Sequence, residues 1–176
     1  GGEPTQMLPL FSAAAGHAGA TFSPSDVAEA LAAVHGRRVL VTTPLHLRAQ
    51  LAAQTKLPPI AVVISATAPL DAALAAQAER AWQTRVLEIY GATEAGSIAS
   101  RRTLDGPDWA PYPGVSFAIT EDRAEVTVPG LPAPVPLADL LQRAGGDRFR
   151  LLGRRADMVK RAGKRASLAG LNRILS

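Results

Sequence analysis

A short stretch of the chain, EIYGATEAGS at residues 88–97, combines side chains that could bind a charged ligand. Tyr90, Gly91, Thr93 and Glu94 follow an apolar run that favours a strand. A glycine lets a ligand approach the backbone, a hydroxyl can donate to an anion, and carboxylate oxygens are preferred ligands of Mg²⁺. The spacing predicts a strand whose carboxyl end opens into a loop at a ligand site.

A second stretch, ISATAPL at residues 64–70, also follows an apolar run and is rich in small residues. Ala66, Thr67 and Ala68 would leave room for a ligand against the backbone. Ligands of open α/β sheets bind beyond the carboxyl ends of the strands, so we predict that both stretches border one site. Ser65 lacks the Gly-x-Ser-x-Gly surroundings of a nucleophile elbow, and the sequence does not favour covalent catalysis there.

The elements that must position these loops alternate along the first hundred residues. A helix should begin at Pro24 with Ser23 as its N-cap, and Gly36 should stop it. Strands are predicted at RRVLVTT, IAVVISA and TRVLEIY, with helices at PLHLRAQLAAQ and LDAALAAQAERAW between them. This alternation indicates βαβ units, and therefore an α/β fold with a parallel sheet layer.

The character of the chain changes after Arg102. Residues 105–136 are rich in proline and hold two alternating runs, VSFAI and AEVTV, which predict antiparallel strands. A polar turn at AGGD and a strand at RFRLLG follow. We predict three parts: residues 1–104 as an α/β domain, 105–152 as a small antiparallel β subdomain, and 153–176 as the start of a C-terminal domain.

Composition limits the classes of protein. The chain has 176 residues, 47% of them hydrophobic, which is enough for one sizeable core. It has no cysteine, which excludes disulfides and thiolate chemistry, and its three histidines are too far apart in sequence to favour a metal site. No signal peptide or long apolar run is visible, which predicts a soluble, cytoplasmic protein without a membrane segment. A first residue other than Met suggests a piece of a longer chain.

The net charge of +4 is unevenly distributed. Residues 148–176 hold nine basic residues and one acid, giving +8, whereas the rest holds ten bases and fourteen acids, giving −4. A basic segment predicts either a site for a polyanion or a solvated face. Nucleic-acid binding remains an alternative, although Phe149 is the only aromatic residue of the segment and no nucleic-acid-binding motif accompanies it.

Together, these motifs resemble the adenylate-forming superfamily, which includes acyl-CoA synthetases and the adenylation domains of peptide synthetases. YGATE matches the family's Tyr-Gly-x-Thr-Glu core, and SATAPL is similar to its Ser-Gly-Ala-x-Pro-Leu loop. GRRADMVKRAG, residues 153–163, resembles the Gly-Arg-x-x-Asp-x-x-Lys-x-x-Gly hinge, and Asp139 then matches the ribose-binding aspartate. Several motifs in the family's order are more specific than any one of them.

The resemblance implies a reaction and roles for particular residues. The parent enzyme would activate a fatty or aromatic carboxylic acid with ATP as its acyl-adenylate, then transfer it to the thiol of coenzyme A or of a carrier protein's phosphopantetheine. The resemblance implies that Glu94 binds Mg²⁺ and that Thr93 binds the α-phosphate. It places Tyr90 and Gly91 on one side of the adenine and Ala66, Thr67 and Ala68 on the other. It also implies that Asp139 and Arg154 bind the ribose, that Lys160 acts in the thioester-forming conformation, and that Ala95, Gly96 and Ile98 border the acyl pocket.

The sequence also departs from the family pattern. The phosphate loop and the adenylation lysine are not among these residues, so the resemblance covers a middle portion of such an enzyme, which we expect to be inactive alone. Ala156 occupies the pivot position of the hinge, and Ala138 precedes Asp139 where glycine is common. A non-catalytic interaction module of the same fold is therefore the second alternative.

Structural roles compete with each functional one. Thr93 and Glu94 could belong to an ordinary turn with Thr93 as a helix N-cap, and Asp139 could cap a surface helix. Arg154 and Lys160 could lie on a solvated basic face. We expect Glu88 to be a half-exposed strand residue. Packing rather than substrate contact is expected of the two tryptophans, Trp82 and Trp109.

Overall fold

The computed structural model describes residues 23–154, and the chain divides into two compact units between Pro107 and Asp108. The predicted boundary at residue 104 lies just before this division. The predicted boundary between residues 152 and 153 falls inside the last described strand. None of the helices in the described range reaches the length and hydrophobicity that a membrane crossing needs.

Within residues 23–107, the first unit is an α/β layer with three α-helices, four strands and a short 3-10 helix (Thr103–Asp105). The helices are α1 (Pro24–Ala33), α2 (Pro44–Ala52) and α3 (Ala72–Trp82), and the strands are β1 (Val39–Thr42), β2 (Val62–Ser65), β3 (Val86–Ala92) and β4 (Gly96–Arg102). The strands lie in the order β1-β2-β3-β4. The first three are parallel and β4 is antiparallel to β3. The predicted parallel βαβ layer is confirmed.

Local sequence explains where the helices begin. The Ser23 hydroxyl accepts from the Asp26 amide at 3.2 Å, and the Asp26 carboxylate accepts from the Ser23 amide at 3.0 Å, a complete capping box. Thr43 caps α2 and Asp71 caps α3 through their side-chain oxygens. The predicted N-cap of α1 is confirmed, whereas α1 ends at Ala33, before the predicted stop at Gly36.

The core of the first unit lies between the helices and the parallel strands. Its fully buried members include Leu47, Val63 and Val86, which come from one helix and two strands. Trp82, at the end of α3, packs against this cluster, so its predicted packing role is confirmed. This core fixes the sheet edge where the two predicted loops emerge.

The second unit consists of short antiparallel strands and contains no helix within residues 108–154. Its strands are β5 (Ala110–Pro111), β6 (Ser116–Ile119), β7 (Ala124–Thr127), β8 (Val135–Leu137), β9 (Asp139–Arg143) and β10 (Phe149–Arg154). One sheet has the order β6-β7-β8, and β9 pairs with β10. The antiparallel subdomain is confirmed, with β5, β8 and β9 as strands that the sequence did not predict.

Phe149 and Trp109 hold the centre of the second unit. Their backbones form a mutual bridge, with Trp109 N donating to Phe149 O at 2.8 Å and Phe149 N to Trp109 O at 3.2 Å. Trp109 is 4% exposed, which confirms its packing role. The predicted AGGD turn joins β9 to β10, and Gly146 takes the left-handed conformation there at φ 66°.

Candidate functional site

The two predicted loops lie at the same edge of the parallel sheet. Ser65 at the end of β2 is the register partner of Glu88 in β3, and β3 continues to Ala92. The 66–70 loop, which we define as residues 66–70, follows β2 directly. The carboxyl ends of β2 and β3 therefore bring both chemically marked stretches together, as the sequence predicted.

The Tyr90–Glu94 stretch forms a β-hairpin rather than an open loop. Gly91 and Ala92 still belong to β3, Thr93 to Ala95 form the turn, and β4 begins at Gly96. The Ala95 amide donates to the Ala92 carbonyl at 3.1 Å, and Gly96 takes φ 68°. Because a strand follows the turn, the alternative that Thr93 caps a helix is wrong. A three-residue turn closed by a left-handed glycine is a common hairpin connection.

The side chains at the hairpin tip differ in exposure. Thr93 and Glu94 are exposed at the turn, whereas Tyr90 is only 8% exposed within the strand. Ile98 in β4 is completely buried, so its side chain does not line an acyl pocket in this structure. Gly91, Thr93 and Glu94 are therefore the residues of this motif that an incoming ligand can reach directly.

Gly91 is required by the hairpin itself. A Cβ atom at this position would overlap the carbonyl oxygen of Gly96 and lie 3.1 Å from the Cα of Ser97. Any side chain would push β4 away from β3. The lack of a side chain at Gly91 therefore serves the neighbouring strand, and Gly91 is also exposed.

The 66–70 loop contains a strained residue. Thr67 has φ 77°, a left-handed conformation that β-branched residues rarely adopt. The residue before it is fixed, because the Ala66 amide donates to the Thr42 carbonyl at 3.0 Å and Ala66 is 5% exposed. Thr67 and Ala68 are exposed, so the backbone between them is accessible at the sheet edge.

Glu88 corrects one expectation from the sequence. We expected a half-exposed strand residue, but its side chain is 3% exposed. Its Oε1 accepts from the Leu70 amide at 2.8 Å, and its Oε2 accepts from Arg101 Nε and the Thr103 hydroxyl, both at 2.7 Å. Sequence reasoning missed this residue because its partners lie far along the chain; the signal was an acid inside an apolar strand.

A second glutamate–arginine pair lies beside α3. Glu79 Oε1 accepts from the Val86 amide and from Arg102 Nε, both at 2.9 Å, and Arg102 Nη2 lies 2.6 Å from Glu79 Oε2. The Arg102 hydrogen bonds hold the pKa of Glu79 below its ordinary value of 4.5, against the opposing effect of burial. The same bonds, with Asp105 as a second partner, raise the pKa of Arg102.

In the second unit, two predicted ribose-binding residues are neighbours. Asp139 opens β9 and is the register partner of Arg154 in β10. Asp139 is half-buried and Arg154 is exposed. The alternative that Asp139 caps a helix is wrong, because Asp139 begins a strand. A bulge between Leu151 and Gly153 shifts the register just before this pair.

Most of the basic segment lies beyond the described range, and Lys160 and the hinge residues after Arg154 belong to that part. Arg150 forms an ion pair with Asp108, which lowers the pKa of the Asp108 carboxyl. Arg150 is thus partnered within its own unit rather than presented freely as part of a basic face.

Glu94 fits the requirement for Mg²⁺ as a single ligand. No cluster of three or more metal-binding side chains exists within residues 23–154. Mg²⁺ keeps several waters and is usually held by one or two carboxylates together with substrate phosphates, so a dedicated cage is unnecessary. An exposed carboxylate at the hairpin tip, one residue from the Thr93 hydroxyl, is compatible with that mode.

Two clefts elsewhere in the first unit lack these site residues. One lies between α1, β1 and α2, with Val27, Thr42 and His46 in its lining, and the other lies beside α3 near Gln83 and Leu104. Neither is lined by the 66–70 loop or the hairpin tip, whose residues Thr67, Ala68, Thr93 and Glu94 are exposed at the sheet edge.

Comparison with known proteins gives one similar sequence and several similar folds. The chain is 30% identical over 174 residues to the 4-coumarate–CoA ligase of Rhodobacter capsulatus, which covers 97% of this chain and 42% of the ligase. The chain therefore spans less than half the length of this curated relative. No family model matches the chain.

The solved structures show the same fold at low identity. MatB from Rhodopseudomonas palustris has a TM-score of 0.63 at 21% identity, covering 76% of this chain and 34% of MatB. E. coli MenE with a bound analogue of OSB-AMS has a TM-score of 0.60 at 17% identity, covering 73% and 32%. Coronafacic acid ligase from Pectobacterium brasiliense has a TM-score of 0.56 at 15% identity, and the match covers 76% of this chain and 33% of that ligase. The chain is thus similar in sequence to part of a CoA ligase and shares the fold of these solved structures, which supports the resemblance to the adenylate-forming superfamily.

Proposed function

We propose that this chain carries the nucleotide-binding part of a ligase that activates a carboxylic acid with ATP and transfers it to a thiol. One observation supports this most directly: the 66–70 loop and the Thr93–Glu94 tip emerge at the same edge of the parallel sheet, and Glu88 links the first loop to the strand that bears the second. That edge is where α/β proteins bind ligands.

The residues of the first unit would act on the phosphates and the base. In the reaction, a carboxylate oxygen attacks the α-phosphorus of ATP and pyrophosphate leaves. Thr93 would donate its hydroxyl to an α-phosphate oxygen, and the backbone of Ala66 to Ala68 would line the adenine with Tyr90 and Gly91 on its other side. Mg²⁺, held by Glu94, supplies neutralisation of the charge that develops on phosphate oxygens.

The second unit would contribute to ribose recognition. Asp139 would accept hydrogen bonds from the ribose hydroxyls, and its cross-strand neighbour Arg154 would donate to the ribose or phosphate. Lys160 would serve the later, thioester-forming conformation. For the acid, an aromatic or fatty carboxylate is proposed, since the similar sequence is named as a 4-coumarate–CoA ligase. Coenzyme A or a carrier protein's phosphopantetheine would be the thiol acceptor.

Calorimetric titration with AMP and with ATP–Mg²⁺ tests this proposal. Thr93→Val removes the hydroxyl at the hairpin tip with little change in shape, and Thr127→Val makes the same change at an exposed strand position of the second unit. We expect Thr93→Val to weaken binding about tenfold, the usual effect of losing one hydrogen bond to a charged group, while Thr127→Val leaves it unchanged.

Asp139→Ala tests the ribose role separately, because Asp139 lies in the second unit. It should weaken AMP and ATP binding alike. Binding that is indifferent to both substitutions would contradict the assignment of the site. A folded chain that binds neither nucleotide would instead favour the non-catalytic interaction module of the same fold.

A further inference from the structure

The buried Glu88 carboxylate accepts hydrogen bonds from three other segments of the chain. It accepts from the Leu70 amide after β2, from the Arg101 guanidinium in β4 and from the Thr103 hydroxyl in the following turn. Arg101 makes a second contact with the same oxygen, with Nη2 2.7 Å from Oε2, and its side chain is 18% exposed. Both carboxylate oxygens are therefore used by protein donors, so Glu88 has little capacity left to bind a ligand.

The 66–70 loop needs such a connection because it holds strain. A β-branched residue at φ 77° persists only where the surrounding structure fixes the backbone on both sides. On one side, the Ala66 amide donates to Thr42 O at 3.0 Å. On the other side, the Leu70 amide donates to Glu88 Oε1 at 2.8 Å. Thr67 lies between these two fixed points.

We propose that Glu88 is a positioning residue that holds the 66–70 loop in its strained, binding-competent shape. The inference rests on the proposed function for the role of the loop, because adenine would lie against that backbone. Glu88 acts through Leu70 and does not touch the nucleotide. Its loss should therefore loosen the loop first and weaken nucleotide binding as a consequence.

Glu79 provides a matched control within the same unit. It also accepts from a backbone amide and from an arginine of β4, but its backbone partner is Val86, at the start of β3. The carboxyl end of β3, not its start, carries the candidate site. Shortening Glu79 should disturb the sheet near α3 without releasing the 66–70 loop.

The experiment compares Glu88→Asp with Glu79→Asp in the 176-residue chain. Aspartate keeps the charge but loses the reach to the backbone amide. Amide hydrogen exchange is measured at Ala66, Thr67, Ala68 and Leu70, with β2 as the internal reference for global opening, and AMP binding is measured by calorimetry. We expect Glu88→Asp to speed exchange in the loop about tenfold relative to β2 and to weaken AMP binding similarly, while Glu79→Asp changes neither.

A rescue distinguishes positioning from general stabilisation. Thr67→Gly removes the left-handed strain, so adding it to Glu88→Asp should restore much of the AMP affinity. Loop exchange that follows β2 in Glu88→Asp, or AMP affinity unchanged beside Glu79→Asp, would overturn the inference.

Two further outcomes are separable. If Glu88→Asp does not fold, Thr103→Val, which removes only one donor to the carboxylate, should still speed loop exchange, and no local change in that variant would overturn the inference. If the unaltered chain does not bind AMP, the proposed function fails. Loop exchange in Glu88→Asp then decides by itself whether Glu88 holds the loop.

Discussion

Two consecutive arginines of β4 form similar ion pairs in different surroundings. Arg101 and Arg102 are neighbours in β4, and each meets a glutamate that also accepts from a backbone amide. The Glu88–Arg101 side chains are 3% and 18% exposed, whereas the Glu79–Arg102 side chains are 11% and 30% exposed. The same chemistry thus serves a buried loop anchor in one pair and a helix-to-sheet connection in the other.

The difference shows how burial changes the consequence of losing a charge. Removing one partner of a buried pair leaves the other charge without compensation in a poorly solvated place. A partly exposed partner can recover hydration, so the loss is smaller. The two glutamates should therefore respond unequally to the same substitution, although their hydrogen bonds look alike.

The largest expected effect is that of Glu88→Gln. The neutral amide leaves the Arg101 guanidinium without a counter-charge, and we expect the free energy of unfolding to fall by about 3 kcal/mol. Urea unfolding at neutral pH measures it, with Glu79→Gln as the comparison. Equal losses of unfolding free energy in the two variants would contradict the distinction between the buried pair and the partly exposed pair.

Gly91→Ala should have the next largest effect. The new methyl group would overlap the Gly96 carbonyl and displace β4, which carries both arginines, so we expect a loss of about 2 kcal/mol. Gly145→Ala is the control, since nothing lies within 4 Å of a Cβ there and its φ is ordinary. Urea unfolding should show little change for Gly145→Ala; a neutral Gly91→Ala would mean that the strands can separate without loss.

Glu79→Gln should have a smaller effect that depends on pH. We expect a loss of about 1 kcal/mol at neutral pH, because Arg102 is partly solvated. The folded pKa of Glu79 is lowered, so the stabilisation is complete above the unfolded value of 4.5 and is lost as pH falls through the lower folded value. Urea unfolding from pH 7 to acid should show the variant and the unaltered chain converging below pH 4.5. A difference that persists in acid would indicate packing rather than charge.

Thr67→Gly should have the smallest effect, and a favourable one. Relief of the left-handed strain, about 1 to 2 kcal/mol, outweighs the added entropy of the unfolded chain, about 0.4 to 1 kcal/mol, so a gain of roughly 0.5 kcal/mol is expected. Thr127→Gly, in a strand with ordinary φ, should instead destabilise. Thermal unfolding of both variants gives the sign, and a loss at Thr67 would show that its methyl and hydroxyl groups matter more than its backbone.

The periodic elements could be predicted from sequence because their signals are local. All three helices carry side-chain caps, α1 and α2 also begin with a proline, and β1 to β3 are short apolar runs that alternate with them. β4 escaped prediction because GSIASRR contains a single β-branched residue and two arginines. The β3–β4 hairpin depends on the close packing of Gly91 against Gly96, and strand propensities of single residues do not reflect such a contact.

The sequence predicted the two loops of the candidate site but not the buried Glu88 carboxylate that contacts one of them. Small residues, a hydroxyl and a carboxylate after strands gave the positions of the 66–70 loop and of Thr93 and Glu94. Glu88 was misjudged because its partners lie 13 to 18 residues away in sequence, and only the folded sheet brings them together. Pairings of that length are determined by tertiary structure rather than by neighbouring residues.

The pair of identical arginines has a consequence for how the hairpin finds its alignment. A one-residue shift between β3 and β4 in one direction would move Arg101 away from Glu88 and bring Arg102 opposite it. Pairing of Glu88 with an arginine therefore does not by itself determine the alignment of the two strands. The discriminating contact is steric: only the observed alignment sets the bare backbone of Gly91 against the Gly96 carbonyl. In this hairpin, the lack of a side chain at Gly91 therefore restricts the alignment of β3 and β4 more than the charged side chains do.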